Sequence, residues 1–335
     1  MSREHPKIVL AHWDGMELVR PADIERINTV GTLLNSEPIA AWADAPDELL
    51  AEADVVLGHW GCPPLDAALL DRMPNLALFT YAAGTVKGCV SDELWARDIR
   101  VTSGSDANAE PVAEFTLAAI LFANKDVFWR RDQQRDLSAA DDEVAATAPV
   151  GNYDKTIGLV SASLVGRRVI ELLHPFPRLP ITLYDPFVSD AEATALGVRK
   201  VELDELCATC DILSIHAPLL PETVGMIGSE QLSALRDGAT VINTARGPII
   251  DHDALTAELE SGRLRAVLDV TDPEPLPVDH PLRRLPNVYL TPHLAGSQGT
   301  EITRMIEWAT DEIGRWSAGE PARNEVTRER LDRMA

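Results

Sequence analysis

An arginine, an acid and a histidine in the last third of the sequence stand where their side chains are free to act. Arg246 lies in Asn243-Thr244-Ala245-Arg246-Gly247, just after an apolar run. Glu274 sits between prolines in Asp272-Pro273-Glu274-Pro275-Leu276, beyond a turn that begins at Leu268-Asp269-Val270. His293 belongs to Thr291-Pro292-His293-Leu294-Ala295-Gly296. These types bind anions and carry protons. Each also has a plainer reading: Arg246 as a surface ion pair, Glu274 as a loop acid, His293 as a turn residue after proline. What separates the readings is whether the three fall together at the ends of strands, so the elements that carry them decide the matter.

Apolar runs at 156–160, 181–185, 212–216, 240–243, 265–269 and 288–290 alternate with helical patterns at 165–174, 190–196, 201–208, 229–235 and 253–261. Six strands that open with a turn and a helix predict a doubly wound, nucleotide-binding α/β domain. Arg246 then falls at the carboxyl end of a strand, where open α/β sheets receive ligands, and His293 just beyond the last strand. Between residues 7 and 104, strands at 8–11, 55–58, 77–80 and 100–102 alternate with helices at 22–30, 64–73 and 91–97, which predicts a second parallel sheet covered on both faces. The stretch 108–130 reads as one long helix whose apolar residues, among them Val112, Phe115, Ile120, Phe122, Val127 and Phe128, cover more than one face. A helix that apolar needs two burial partners. It serves as a bridge between domains or as a subunit interface, and Phe128-Trp129 near its end favours the interface and a homodimer. Residues 136–153, rich in Ala and Asp, read as a surface loop, and 300–316 as a last amphipathic helix.

At the first strand-to-helix junction of the larger run, a dinucleotide fingerprint would place G-x-G-x-x-G. The sequence has Ser161-Ala162-Ser163-Leu164-Val165-Gly166. Gly166 keeps the position that packs helix against strand, while Ser161 and Ser163 replace the glycines of the tight turn and of the close approach to diphosphate. Ser161 is strained only if its φ is positive. Ser163 adds bulk, but its hydroxyl can donate to a phosphate oxygen, and the amides of Leu164 and Val165 face an anion at the helix N-terminus. Asp185, at the end of the next strand in Tyr184-Asp185-Pro186, stands where an acid grips ribose hydroxyls and disfavours the extra phosphate of NADP. Its plainer reading is an aspartate that caps a turn before proline.

The bulk numbers bound the rest. At 335 residues, 45% of them hydrophobic, the chain has ample core and exceeds what one core holds economically, so two domains are expected. A net charge of -23, from 53 acidic against 30 basic residues, opposes nucleic acid and anionic membranes as partners. No apolar run is long enough to span a bilayer, and Glu4, His5, Pro6 and Lys7 interrupt the place of a signal peptide's apolar stretch, which predicts a cytoplasmic protein. Cys62, Cys89, Cys207 and Cys210 are too few for a disulfide framework. The Cys207/Cys210 spacing lacks a second pair, so it reads as buried thiols rather than a metal site.

The ordered set NTARG, LDV, PEPLP and TPHLAG, with Ser214-Ile215-His216-Ala217-Pro218-Leu219 and Asp106-Ala107-Asn108-Ala109-Glu110, resembles the D-isomer-specific 2-hydroxyacid dehydrogenase family from end to end. The resemblance implies a Rossmann-type NAD-binding domain (105–296) inserted into a flavodoxin-like substrate domain (1–104 plus 297–335), with the active site in the cleft. By the same resemblance, Arg246 would hold the substrate carboxylate and keto oxygen, and His293 would take the hydroxyl proton. Glu274 would fix the histidine's tautomer and favour its imidazolium, and Asp269 would contact the nicotinamide end. Ser163, Leu164, Val165, Gly166, Asp185, His216, Pro218, Thr223, Thr244 and Ala245 would line NAD; His59, Ala83 and Gly84 would face a small 2-hydroxy or 2-keto acid. No metal is implied. The sequence departs from the family at Ser161 and Ser163, at Val86 where relatives often have aspartate, and at His59-Trp60, where many relatives place a basic and a small residue. Trp60 reads equally as a pocket wall or as packing on Pro63-Pro64. Two alternatives to the enzyme stay open: a non-catalytic, NADH-sensing protein of corepressor type, and a degenerate member with impaired cofactor binding.

Overall fold

The strands of the computed structural model, which describes residues 4–130 and 150–331, are short runs, most of them apolar and buried, and all their pairings are parallel. The first sheet contains β1 (Lys7–Ala11), β2 (Thr32–Leu33), β3 (Val55–Gly58), β4 (Leu78–Tyr81) and β5 (Arg100–Ser103) in the order β2-β1-β3-β4-β5. The second contains β6 (Ile157–Val160), β7 (Ile181–Tyr184), β8 (Arg199–Lys200), β9 (Ile212–Ile215), β10 (Thr240–Asn243), β11 (Arg265–Leu268) and β12 (Val288–Leu290), in the order β12-β11-β10-β9-β6-β7-β8. The first order is the flavodoxin-like winding. The second is the Rossmann winding with one further strand beyond β11.

The sequence pattern anticipates six strands in the second sheet and the structure has seven. The additional strand, β8, is two polar residues held by the register Thr182↔Arg199 and Leu183↔Lys200, and β2 is equally short. The long helix also differs from expectation. It starts at Ser105 and stops at Asn124, and a separate turn of helix, Val127–Arg130, follows. Asp126, at φ +58, breaks it, since one left-handed residue cannot continue a right-handed helix. The Asp126 carboxylate is held by Arg265 (2.5 Å) and Arg130 (3.4 Å).

The described residues form two compact units, 4–108 with 297–331, and 109–130 with 150–296. The boundary between the units falls after Asn108, within the helix Ser105–Asn124. In the first unit one core gathers β1, β3 and β4 with the inward face of the helix Ile302–Ser317, whose Met305, Ile306, Ala309 and Ile313 are buried. In the second unit the sheet has an apolar cluster on each face. A parallel sheet covered on both faces should bury its strands completely, and those of β6, β9 and β10 are fully buried.

All four cysteines are buried free thiols. Burial pushes the Cys207 thiol up to about 12, which suits packing rather than metal binding. Among the described residues no cluster of His, Cys, Asp or Glu could hold a metal ion, and no helix is long and apolar enough to cross a membrane. Of the expected surface loop, residues 136–149 lie outside the described residues.

Candidate active site

The helix Leu164–Leu173 begins at the end of β6, and its first turn forms the fingerprint. Ser161 adopts φ +79, the left-handed conformation that a glycine would take there. Its hydroxyl donates to Asp185 Oδ2 at 3.1 Å. Ser163 is the N-cap: its backbone is extended, and its Oγ accepts from the Gly166 N–H at 3.3 Å. That leaves the Ser163 hydroxyl proton free to donate, while the amides of Leu164 and Val165 have no acceptor within the helix. Gly166 performs the packing role expected of it. A Cβ there would lie 2.1 Å from the carbonyl oxygen of Ser161. The loop therefore keeps the shape of an anion-binding turn without two of its three glycines, and its donor set fits a diphosphate.

Asp185 is buried and supports this turn directly. Its Oδ2 also accepts from the Ala162 amide (2.8 Å), and its Oδ1 from the Phe187 amide (2.8 Å). With about four acceptor positions on a carboxylate, one remains for a ribose hydroxyl. His216, just after β9, is enclosed and bonded through Nε2 to Ser214 Oγ at 3.0 Å, while its buried Nδ1 has no partner. Burial pushes its pKa down to about 3, so the ring is neutral. Thr223 donates to the Pro218 carbonyl at 2.7 Å and accepts from the Leu220 amide, closing its own loop. Thr244 Oγ1 meets Thr116 Oγ1 at 3.1 Å, and the Ala245 amide donates to Asn243 Oδ1 at 3.0 Å.

The structure brings Arg246, Glu274 and His293 together on the loops that follow β10, β11 and β12, three adjacent strands at one edge of the sheet. His293 Nδ1 lies 2.6 Å from Glu274 Oε1. A carboxylate accepts, so Nδ1 carries a proton and Nε2 is left to exchange one. Arg246 is partly buried; desolvation lowers its pKa, while the nearby charge of Glu274 opposes that shift. Asn243 Nδ2 donates to the Arg246 carbonyl at 2.9 Å and fixes the start of the loop. Gly247 lets that loop press on the next one: a Cβ there would lie 2.0 Å from the Thr271 carbonyl oxygen.

Asp269 lies beneath the histidine loop. Its carboxylate, 2% exposed, accepts from Thr291 Oγ1 (2.6 Å) and from the amides of Leu294 (2.8 Å) and Ala295 (2.9 Å), and its carbonyl accepts from the His293 amide (2.9 Å). The resemblance implies a contact with the nicotinamide end for this residue; in the structure its bonds brace the loop that holds His293 at φ +53.

His59, Ala83 and Gly84 belong to the first unit and lie beyond the carboxyl ends of β3 and β4. The Ala82 amide is taken by the Gly58 carbonyl, and the carbonyl of Gly84 accepts from Ser103 Oγ at 2.5 Å. His59 is completely buried against Trp60, their rings 4.8 Å apart. The residue that sequence reasoning missed is His12, which follows β1 as His59 follows β3 and stands edge to face with it at 6.5 Å. The repeated strand-then-histidine pattern was the available signal.

Residues 117–295 match the NAD binding domain of D-isomer specific 2-hydroxyacid dehydrogenases. The chain belongs to that family, and the domain that carries Arg246, Glu274 and His293 is its NAD-binding domain. It is 32% identical over 281 residues to a D-3-phosphoglycerate dehydrogenase of Mycobacterium tuberculosis, an alignment covering 80% of this chain and 52% of that one. It is 31% identical over 299 residues to glyoxylate/hydroxypyruvate reductase B of Yersinia enterocolitica, covering 88% and 90% of the two chains. The chain thus spans about half the length of the mycobacterial relative. Among solved structures, a phosphoglycerate oxidoreductase from Rhizobium etli superposes with a TM-score of 0.81 at 25% identity, covering 97% of this chain and 99% of that one.

Proposed function

We propose that this chain is an NAD-dependent oxidoreductase that interconverts a D-2-hydroxy acid and its 2-keto acid, as a cytoplasmic homodimer. The observation that carries the reading is the 2.6 Å bond from His293 Nδ1 to Glu274 Oε1, formed beside a guanidinium at the ends of adjacent strands.

Arg246 anchors the substrate carboxylate and keto oxygen. Its planar fork matches two oxygens at once, and a partly desolvated guanidinium gains from an anionic partner. His293 takes the hydroxyl proton at Nε2 during oxidation and returns it during reduction. Glu274 holds the ring in the required tautomer and stabilises the imidazolium. Asp269 positions the loop from below. Leu264, Leu268 and Val267 of the β11 region keep that floor rigid by complete burial. NAD held by this domain would supply the hydride chemistry at C2 of the acid. The amides of Leu164 and Val165 and the Ser163 hydroxyl would hold its diphosphate, and Asp185 its ribose, which favours NAD over NADP. The homodimer rests on the helix Ser105–Asn124 and the turn after it, where Phe122 and Val127 are exposed apolar side chains.

A panel of 2-keto acids assayed with NADH tests the reading. His293→Ala should lower kcat by about three orders of magnitude or more while NADH affinity stays nearly unchanged. Arg246→Ala should chiefly cripple use of the keto acid. Retention of kcat by His293→Ala would refute the proton shuttle, and wild-type protein that binds NADH but reduces no member of the panel would refute the dehydrogenase.

A further inference from the structure

Each of the segments that follow β3 and β4 closes a tight turn on a cysteine. The Cys62 amide donates to the His59 carbonyl and the Cys89 amide to the Val86 carbonyl, both at 2.8 Å. The Leu65 amide, just past Cys62, donates to the Cys89 carbonyl at 2.8 Å. These bonds hold two cysteines, 27 residues apart in sequence, side by side within the first unit. Gly58, at the end of β3, makes room beside them: a Cβ there would lie 3.0 Å from the Cys62 sulfur. The two thiols hydrogen-bond each other, and Cys89 Sγ also lies 3.5 Å from the Cys62 carbonyl oxygen. A disulfide requires backbones this near and sulfurs that can meet.

The two thiols are not equivalent. Cys62 keeps its proton, because its bond to Cys89 and its burial push it well above the usual thiol range. Cys89 is lowered: the bond from Cys62 outweighs the burial that raises it, and the Tyr81 hydroxyl is a second donor to its sulfur. The thiolate is the nucleophile, so Cys89 attacks first and Cys62 resolves. Cys207 and Cys210, in the second unit, offer the contrast. Burial raises both, and both are 0% exposed, whereas Cys62 at 6% and Cys89 at 5% leave an opening for an oxidant little larger than water.

We propose that Cys62 and Cys89 form a peroxide-reactive dithiol that closes to a disulfide and is reopened by a thiol reductant. The Cys89 sulfur attacks one oxygen of hydrogen peroxide, and an S–O bond forms as the O–O bond breaks. The other oxygen leaves as hydroxide, which takes up the proton that Cys89 released. The Cys62 sulfur then attacks the sulfenic acid on Cys89; S–S forms as S–O breaks, and water leaves with the Cys62 proton. Two thiols and one peroxide thus give one disulfide and two waters, the peroxide taking both electrons. The bond ties the segment after β3 to the one after β4, and it does not depend on the dehydrogenase reading.

The full chain is treated with hydrogen peroxide, unfolded in urea with excess N-ethylmaleimide, and mapped by mass spectrometry without reduction. Two of the four thiols should resist alkylation, the peptides of Cys62 and Cys89 should be joined, and dithiothreitol should free both. Cys207 and Cys210 should be alkylated in full. Four alkylated thiols, a bond between Cys207 and Cys210, or sulfinic acid in place of the disulfide would overturn the proposal. In Cys62→Ser the sulfenic acid should persist on Cys89 and be trapped by dimedone. A folded Cys62→Ser chain without that label would overturn the order of attack, and the wild-type mapping decides the disulfide even if this variant fails to fold. Tyr81→Phe should shift the pH midpoint of the oxidation rate upward while the disulfide still forms; an unmoved midpoint would overturn the part given to the hydroxyl.

Discussion

At the scale of single residues, the two serines of the fingerprint have opposite energetics. Ser161 holds φ +79 with a Cβ, which costs about 1 kcal/mol for an ordinary L-residue, and its hydroxyl recovers part of that by donating to Asp185. Ser161→Gly should therefore leave Tm unchanged or slightly higher and NADH affinity equal or better. Ser163 sits in extended backbone as the N-cap, so Ser163→Ala should destabilise by about 1 kcal/mol, and Ser163→Gly by only a few tenths. Urea unfolding with and without NADH separates the two serines; a tenfold loss of NADH affinity in Ser161→Gly would show that its hydroxyl serves the cofactor. The hydrogen bond from His293 Nδ1 to Glu274 supports a third expectation. Glu274→Gln removes the charge and lets the amide present the wrong face to His293 Nδ1, so kcat should fall by about two to four orders of magnitude with KM little changed.

At the scale of elements, two glycines fasten loops to each other, and their effects should differ in kind. Gly166→Ala forces a Cβ to within 2.1 Å of the Ser161 carbonyl, pushing the helix Leu164–Leu173 off β6. NADH should then cease to raise Tm. Gly247→Ala collides with Thr271 at 2.0 Å and should instead weaken keto-acid use, since it moves the loop bearing Arg246 while the fingerprint is untouched. Each substitution should also cost about 1–3 kcal/mol of stability, the usual range for overpacking, measurable by urea unfolding. Most of these elements were legible in the sequence because their burial is total: a strand such as Thr240–Asn243 reads as an apolar run between turn residues. The two-residue strands β2 and β8 were not, for only their neighbours' hydrogen bonds make them strands. Likewise the halt at Asp126 depends on Arg265, which is distant in sequence. Arg246, Glu274 and His293 were legible as local motifs. His12 carried only the strand-then-histidine pattern as a signal, since its place beside His59 needs β1 paired with β3, and the bracing of the histidine loop by Asp269 likewise needs β11 and β12 side by side.

At the scale of the whole molecule, the net charge of -23 and the buried histidines pull stability in opposite directions as pH falls. Acidification relieves the mutual repulsion of a surface rich in carboxylates, which favours the compact state. Against this, His59 and His216 have pKa values near 3 in the folded chain, and those of His12 and His252 are also lowered, in all four chiefly by desolvation. A depressed folded pKa means that the unfolded chain binds more protons. The stability this represents is complete above about pH 6.5, where the unfolded histidine is neutral, and is lost progressively as pH falls toward the folded value. Below pH 6.5 His59 and His216 each contribute a slope approaching about 1.4 kcal/mol per pH unit, and His12 and His252 act in the same direction. A free carboxylate stays mostly ionised down to about pH 5, so the repulsive term is expected to change slowly in that window. The histidines should win there: unfolding free energy should fall steeply between about pH 6.5 and 5, and His59→Phe should flatten the slope by removing one group. Urea unfolding at closely spaced pH values checks this, and a profile that stays flat or rises on acidification would mean that the surface charge, not the buried imidazoles, governs the acid limb.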